Sequence, residues 1–98
     1  MQEFQQYING EFAPATAQFE SQDPSTGKPW ALMPEARSED VNRAVEAAHQ
    51  AFYGAEWRNL TASQRGKLLY RLADLIAENA PRLAELETRD TGKIIRET

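Results

Sequence analysis

Apolar residues follow one pattern before residue 37 and another after it. Up to Glu35, short runs of aromatic and branched residues alternate with turn residues, which is typical of strands. From Ser38 onward, apolar residues recur every three or four positions, which is typical of amphipathic helices. The pattern predicts an α+β chain: β-hairpins in a hairpin region at residues 1–36, then two to three α-helices in a helical region at residues 38–98.

Two turn signals divide the hairpin region. Asn9-Gly10 suits a type I′ turn, which needs positive φ at both positions, so a hairpin is predicted over Phe4–Phe12. A second turn is predicted at Asp23–Lys28, where Asp precedes Pro and a glycine follows. The strands beside it are predicted at residues 19–22 and 30–33, with Pro34 ending the second.

The first predicted helix covers residues 38–52, with Ser38 as its N-cap and Gly54 ending it. Its apolar positions fall on one face: Val41, Ala44, Val45, Ala48 and Phe52. This face needs a covering partner, and the hairpin is expected to lean on the helices or to join a larger sheet, because an isolated hairpin is marginally stable.

A capping box opens the second predicted helix, because Thr61 and Gln64 can each accept from the other's backbone N–H. Five large residues form a leucine stripe along it: Leu68, Leu69, Leu72, Leu75 and Ile76. Asn79 interrupts the pattern, and Pro81 suits the first turn of a further helix that Gly92 ends.

Composition excludes several classes of function. The net charge of −4 and the mixed charges offer no basic surface for nucleic acid. No run approaches the roughly 18 apolar residues of a membrane span, and the start resembles no secretory signal, so a cytoplasmic protein is expected. The chain contains no cysteine, which excludes a disulfide, a thiolate zinc site and a cysteine nucleophile within it.

Few residues are candidates for chemistry. His49 is the only histidine and has no partner at metal-ligand spacing, so a surface position is predicted. Glu85, Glu87 and Asp90 are close in sequence, but such spacing on a charged helix favours solvated carboxylates or pairs with Arg82 and Arg89.

A series of motifs resembles the N-terminal segment of the NAD(P)-dependent aldehyde dehydrogenases. The motifs are Tyr7–Phe12 (YINGEF), Asp23–Lys28 (DPSTGK), the helix from Ser38 to Phe52, Trp57–Arg65 and residues 72–93 (LADLIAENAPRLAELETRDTGK). Their order and spacing, rather than any single motif, carry the resemblance. It implies a parent with an α/β fold and a Rossmann-like cofactor domain, of which residues 1–98 are the N-terminal part.

The resemblance also implies an activity and its partners. The parent is expected to oxidise an aldehyde substrate to a carboxylic acid with NAD or NADP, through a cysteine thiohemiacetal, and to form homo-oligomers. The residues shown are expected to act as scaffold for the remainder of the parent chain and to be inactive alone. By the same resemblance, Ser21, Gln22 and Asp90 match positions that bind a monovalent cation (K or Na); a structural role for Asp90 at the helix end is the alternative.

Ile94 and Ile95 begin an element that the chain does not finish, which is consistent with a piece of a longer polypeptide. A different class of function is also compatible with the composition. The chain would then be a self-contained helical interaction module, with a hairpin on three helices and its leucine stripe open to a partner.

Overall fold

The computed structural model describes residues 1–98 and confirms the α+β class. Five short strands come first: β1 (Gln2–Glu3), β2 (Gln6–Ile8), β3 (Glu11–Ala13), β4 (Ala17–Asp23) and β5 (Lys28–Glu35). Four helices and a final 3-10 turn at Ile95–Glu97 follow: α1 (Ser38–Tyr53), α2 (Ala55–Arg58), α3 (Ala62–Glu78) and α4 (Ala80–Thr91). The chain divides into two compact units, residues 1–22 with 29–58, and residues 23–28 with 59–98.

The first hairpin has the predicted turn but shorter strands. Asn9 and Gly10 have φ of 54° and 79°, the two positive values that a type I′ turn requires. β2 pairs antiparallel with β3, and Tyr7 lies opposite Phe12 with ring centroids 5.0 Å apart. The prediction that the hairpin begins at Phe4 was wrong, because the backbone N–H of Phe4 instead donates to the carbonyl of Leu32 at 3.0 Å.

A three-stranded sheet contains the small core of the first unit. β5 lies between β1 and β4, and β1 runs parallel to β5 with Gln2 opposite Ala31 and Glu3 opposite Leu32. Trp30 and Ala31 on β5 are the buried apolar residues, and the rings of Trp30 and Phe4 form an edge-to-face pair with centroids 5.9 Å apart.

Pro34 does not end its strand, contrary to the prediction, because β5 continues to Glu35. The paired residues of β1 extend only to Leu32 on β5. Pro34 therefore lies outside the stretch that pairs with β1, where β1 needs no hydrogen-bond donor from it.

Helix α1 begins at Ser38, and its N-cap lies one residue before the predicted one. Arg37, and not Ser38, is the N-cap, and its backbone N–H donates to Oδ2 of Asp40 at 2.9 Å. Asp40 also pairs with the guanidinium of Arg43. The helix ends before Gly54 as predicted, but Gly54 is extended, with φ −72° and ψ 149°, and the short helix α2 follows it.

The second unit matches its predicted local signals closely. Thr61 and Gln64 form the reciprocal capping box of α3, with N to O distances of 2.8 and 3.2 Å. Asn79 ends α3, and its side-chain amide donates to the carbonyl of Leu75 at 2.8 Å. Pro81 lies in the first turn of α4, and Gly92 ends that helix in the left-handed conformation.

Candidate functional site

The turn between β4 and β5 is held by its own aspartate. Oδ1 of Asp23 accepts from the backbone N–H of Ser25 at 2.9 Å and from its hydroxyl at 2.7 Å. The carbonyl of Asp23 accepts from the N–H groups of Thr26 and Gly27. The hydrogen bonds from Ser25 hold the pKa of Asp23 below its ordinary value of 3.8, and the charge of Arg89 on α4 lowers it further.

The three residues predicted to bind a monovalent cation lie on two elements. Ser21 and Gln22 are neighbours on β4, where Ser21 is half-buried and Gln22 exposed. Asp90 is exposed on the last turn of α4. Ser21 and Asp90 each interact with other groups of the chain. No group of three or more His, Cys, Asp or Glu side chains is placed to hold a metal, but the predicted site relies on backbone carbonyls, so it stays a prediction.

The other candidates for chemistry are on the surface. His49 is exposed on α1 and its ring centroid lies 4.7 Å from that of Tyr53. Glu85, Glu87 and Asp90 are exposed on α4. All four side chains therefore lie on the open surface of a helix.

An open groove of about 580 Å³ lies between the first hairpin and α1. Its wall on the helix side is mostly polar, and its lining residues are Ile8, Asn9, Glu11, Ala13, Asn42, Arg43, Glu46, Ala47 and Gln50. The groove contains neither a nucleophile with an adjacent base nor the glycine-rich turn that cradles a dinucleotide phosphate.

Helix α1 turns its small and polar residues, rather than its large apolar ones, toward the hairpin. A second concavity beside the hairpin is lined on the helix side by Ala44, Ala47, Ala48 and Ala51. Val41, Val45 and Phe52 are 51%, 62% and 59% exposed. The apolar face predicted from the sequence exists, but its large residues remain uncovered.

The leucine stripe of α3 is also uncovered. Leu69, the most exposed member, is 67% exposed, and Leu75, the least exposed, is 38% exposed. Ile94 and Ile95 are exposed as well. Exposed apolar residues on one helix face are typical of a surface that packs against other polypeptide.

None of the helices combines the length and the hydropathy that a membrane span requires.

Comparison with known proteins identifies relatives over nearly the whole chain. The model of the aldehyde dehydrogenase family matches residues 12–98. The chain is 68% identical over 98 residues to the (Z)-2-((N-methylformamido)methylene)-5-hydroxybutyrolactone dehydrogenase of Acinetobacter baylyi, covering all of this chain and 20% of that protein. It is 48% identical over 90 residues to the mitochondrial aldehyde dehydrogenase of Rattus norvegicus, covering 89% of this chain and 17% of the relative.

Solved structures of aldehyde dehydrogenases are also similar to nearly the whole chain. An aldehyde dehydrogenase of Bacillus cereus in complex with NAD+ superposes with a TM-score of 0.91 at 41% identity, over 97% of this chain and 20% of that one. An NAD-dependent aldehyde dehydrogenase of Sinorhizobium meliloti superposes with a TM-score of 0.90 at 30% identity, over 97% of this chain and 20% of its own. The chain thus spans about a fifth of the length of the relatives it matches.

Proposed function

The chain belongs to the aldehyde dehydrogenase family, and from that membership we propose that residues 1–98 are the N-terminal part of the cofactor-binding domain of an enzyme that oxidises aldehydes to carboxylic acids. The observation that carries the proposal is the 68% identity over the whole chain to a dehydrogenase of Acinetobacter baylyi. We also propose that the parent enzyme is located in the cytoplasm and forms homo-oligomers.

In the proposed parent enzyme, NAD or NADP accepts a hydride from the thiohemiacetal that a cysteine thiolate forms with the aldehyde. This chain contributes neither the thiolate, since it has no cysteine, nor a cradle for the dinucleotide. Its role is to support the rest of the enzyme, which would cover the apolar faces of α1 and α3. Burial of such faces is the dominant favourable term in association.

The test is a chimera. The 98 residues replace the matching residues of the Acinetobacter relative, and NADH formation is measured with a simple aldehyde and with the hydroxybutyrolactone compound for which that relative is named. The chimera is expected to turn over with NAD, and the 98-residue chain alone to show no turnover. An inactive but folded chimera, or oxidation by the chain alone, contradicts the proposal.

A monovalent cation site in the parent is part of the same proposal. Ser21 and Gln22 would supply backbone carbonyls and Asp90 a further oxygen, the ligand type that hard cations prefer. In the chimera, K+ or Na+ is expected to raise the unfolding temperature relative to choline at equal ionic strength. Asp90→Ala is expected to reduce that difference, and a difference unchanged by the substitution rules out this site.

A further inference from the structure

The loop of the first hairpin, Asn9-Gly10, has the chemistry of a site that modifies itself. An asparagine followed by glycine is prone to cyclise, because glycine has no side chain to hinder attack of its backbone nitrogen on the asparagine Cγ. Both residues are exposed. A Cβ atom added at Gly10 would meet no atom within 4 Å, so the space around the attacking nitrogen is open.

The residue that follows distinguishes Asn9 from the other asparagines of the chain. Asn42, Asn59 and Asn79 are also exposed, so exposure alone does not set Asn9 apart. They precede arginine, leucine and alanine, whose Cβ atoms hinder approach of the backbone nitrogen. Asn42 also lies inside α1, and the amide of Asn79 donates to a helix carbonyl. Cyclisation is therefore favoured at Asn9.

The closed turn holds the two reacting atoms apart. Asn9 has a φ of 54°, which belongs to the left-handed conformation of a type I′ turn. This conformation places the Gly10 nitrogen opposite Cβ across the Cα–C bond of Asn9, so cyclisation requires rotation about that bond. β2 and β3 have three residues each and form a sheet of their own. A hairpin of this size is marginally stable and opens readily.

The reaction needs only this dipeptide and water. The backbone nitrogen of Gly10 forms a bond to Cγ of Asn9, the bond from Cγ to Nδ2 breaks, and Nδ2 leaves as ammonia with the proton that the Gly10 nitrogen gives up. Water then opens the resulting succinimide. Addition at Cγ gives aspartate, and addition at the main-chain carbonyl carbon gives isoaspartate, in which the main chain passes through Cβ and Cγ.

Isoaspartate is incompatible with the hairpin in two ways. Its extra main-chain carbon lengthens a two-residue loop whose twist must match that of β2 and β3. Its carboxylate also enters the groove beside α1, which Glu11 and Glu46 already line. Arg43 lines the same groove, but it pairs with Asp40. Geometry and charge therefore both favour an open hairpin after the reaction.

We propose that Asn9-Gly10 is a site of spontaneous modification, where opening of the hairpin permits conversion of Asn9 to aspartate or isoaspartate, and where isoaspartate then prevents the hairpin from closing. The reaction uses residues of the first unit alone, so the proposal does not depend on the proposed enzyme.

Peptide mapping by mass spectrometry tests the site. The 98-residue chain is incubated in neutral buffer, and the loss of each asparagine is followed with time, with isoaspartate quantified by enzymatic methylation of its free carboxylate. Asn9 is expected to convert about tenfold faster than Asn42, Asn59 and Asn79, because glycine alone leaves the nitrogen unhindered. Equal rates at all four positions overturn the proposal.

Two hairpin variants separate the chemistry from the opening. Gly10→Ala strains the turn but hinders the nitrogen, and is expected to slow conversion about tenfold. Phe12→Ala removes the ring contact with Tyr7 and is expected to speed conversion about fivefold, which corresponds to the loss of one aromatic pair. Tyr70→Ala removes an exposed aromatic residue of α3 and is expected to have no effect. Faster conversion in Gly10→Ala, or an unchanged rate in Phe12→Ala, overturns the mechanism.

The consequence is tested on the isoaspartate form, separated from the unreacted chain by chromatography. Nuclear Overhauser contacts between the rings of Tyr7 and Phe12 are expected to disappear in that form. Asn9→Asp is the matched control, because it adds the carboxylate without the main-chain carbon and aspartate tolerates the left-handed conformation; it is expected to keep part of the ring contact. An isoaspartate form with the full ring contact overturns the claim that the hairpin stays open.

Discussion

Gly92 lies against Pro24, so the C-terminal cap of α4 meets the turn between β4 and β5. A Cβ atom at Gly92 would lie 3.2 Å from Cβ and 3.5 Å from Cγ of Pro24, and Gly92 has a φ of 78°. Its N–H donates to the carbonyl of Thr88 at 2.9 Å. The position therefore needs glycine for two reasons, its left-handed backbone and its close approach to the proline.

Gly92→Ala is expected to destabilise the chain by about 2 kcal/mol, because a side chain in the left-handed region costs about 1–2 kcal/mol and the contact with Pro24 adds to it. Gly10→Ala is the control: Gly10 has a φ of 79° but nothing within 4 Å of an added Cβ. Urea unfolding of both variants measures the difference. Equal losses of unfolding free energy at the two positions would show that the contact with Pro24 does not contribute to the effect of Gly92→Ala.

Gly66→Ala is expected to stabilise the chain by about 0.5–1 kcal/mol. Gly66 lies inside α3, where an added Cβ meets no atom within 4 Å, and alanine loses less backbone entropy in a helix. Thermal unfolding followed by circular dichroism measures the effect, and Ala73→Gly in the same helix should show the opposite change. A lower melting temperature for Gly66→Ala would contradict this account.

Thr61→Ala is expected to cost about 1 kcal/mol, because the N–H of Gln64 loses its acceptor at the start of α3. Thr61→Ser keeps the hydroxyl and should lose little stability. The amide exchange rates of the first turn of α3 measure the effect residue by residue. If Thr61→Ser and Thr61→Ala fray that turn equally, the hydroxyl does not hold the cap.

Stability is expected to fall on acidification below about pH 4. The N–H of Arg37 and the guanidinium of Arg43 hold the pKa of Asp40 below 3.8, as the hydrogen bonds of Ser25 do for Asp23. A pKa lowered by folding stabilises the native state above the unfolded value, and that stabilisation is lost as pH falls through the native value. Asp40→Asn should reduce the pH dependence of the unfolding free energy between pH 5 and about 3.

Carboxyl carbon shifts measured by NMR against pH check the cause. Native Asp40 and Asp23 should titrate below 3.8, the ordinary value for aspartate. A normal titration of Asp40 would contradict the role given to Arg37 and Arg43, whatever the stability curve shows.

The sequence by itself determined the features that depend on neighbouring residues. Asn9-Gly10 specifies its turn because few residues accept positive φ. Thr61 and Gln64 specify the start of α3 because each satisfies a backbone N–H three residues away. The resemblance to the family could also be detected from the sequence, because it lies in the order and spacing of short motifs. Residues 12–98 match the family model.

Only the tertiary structure decided where these elements meet. The parallel pairing of Gln2 with Ala31 spans most of the first unit, and a two-residue strand leaves no periodic signal from which to predict it. Tertiary structure also decided that α1 presents alanines to the hairpin and leaves Val45 and Phe52 exposed. The spacing of apolar residues along the sequence shows that a helix has an apolar face. What packs against that face depends on long-range contacts, which the spacing of residues three or four apart does not determine.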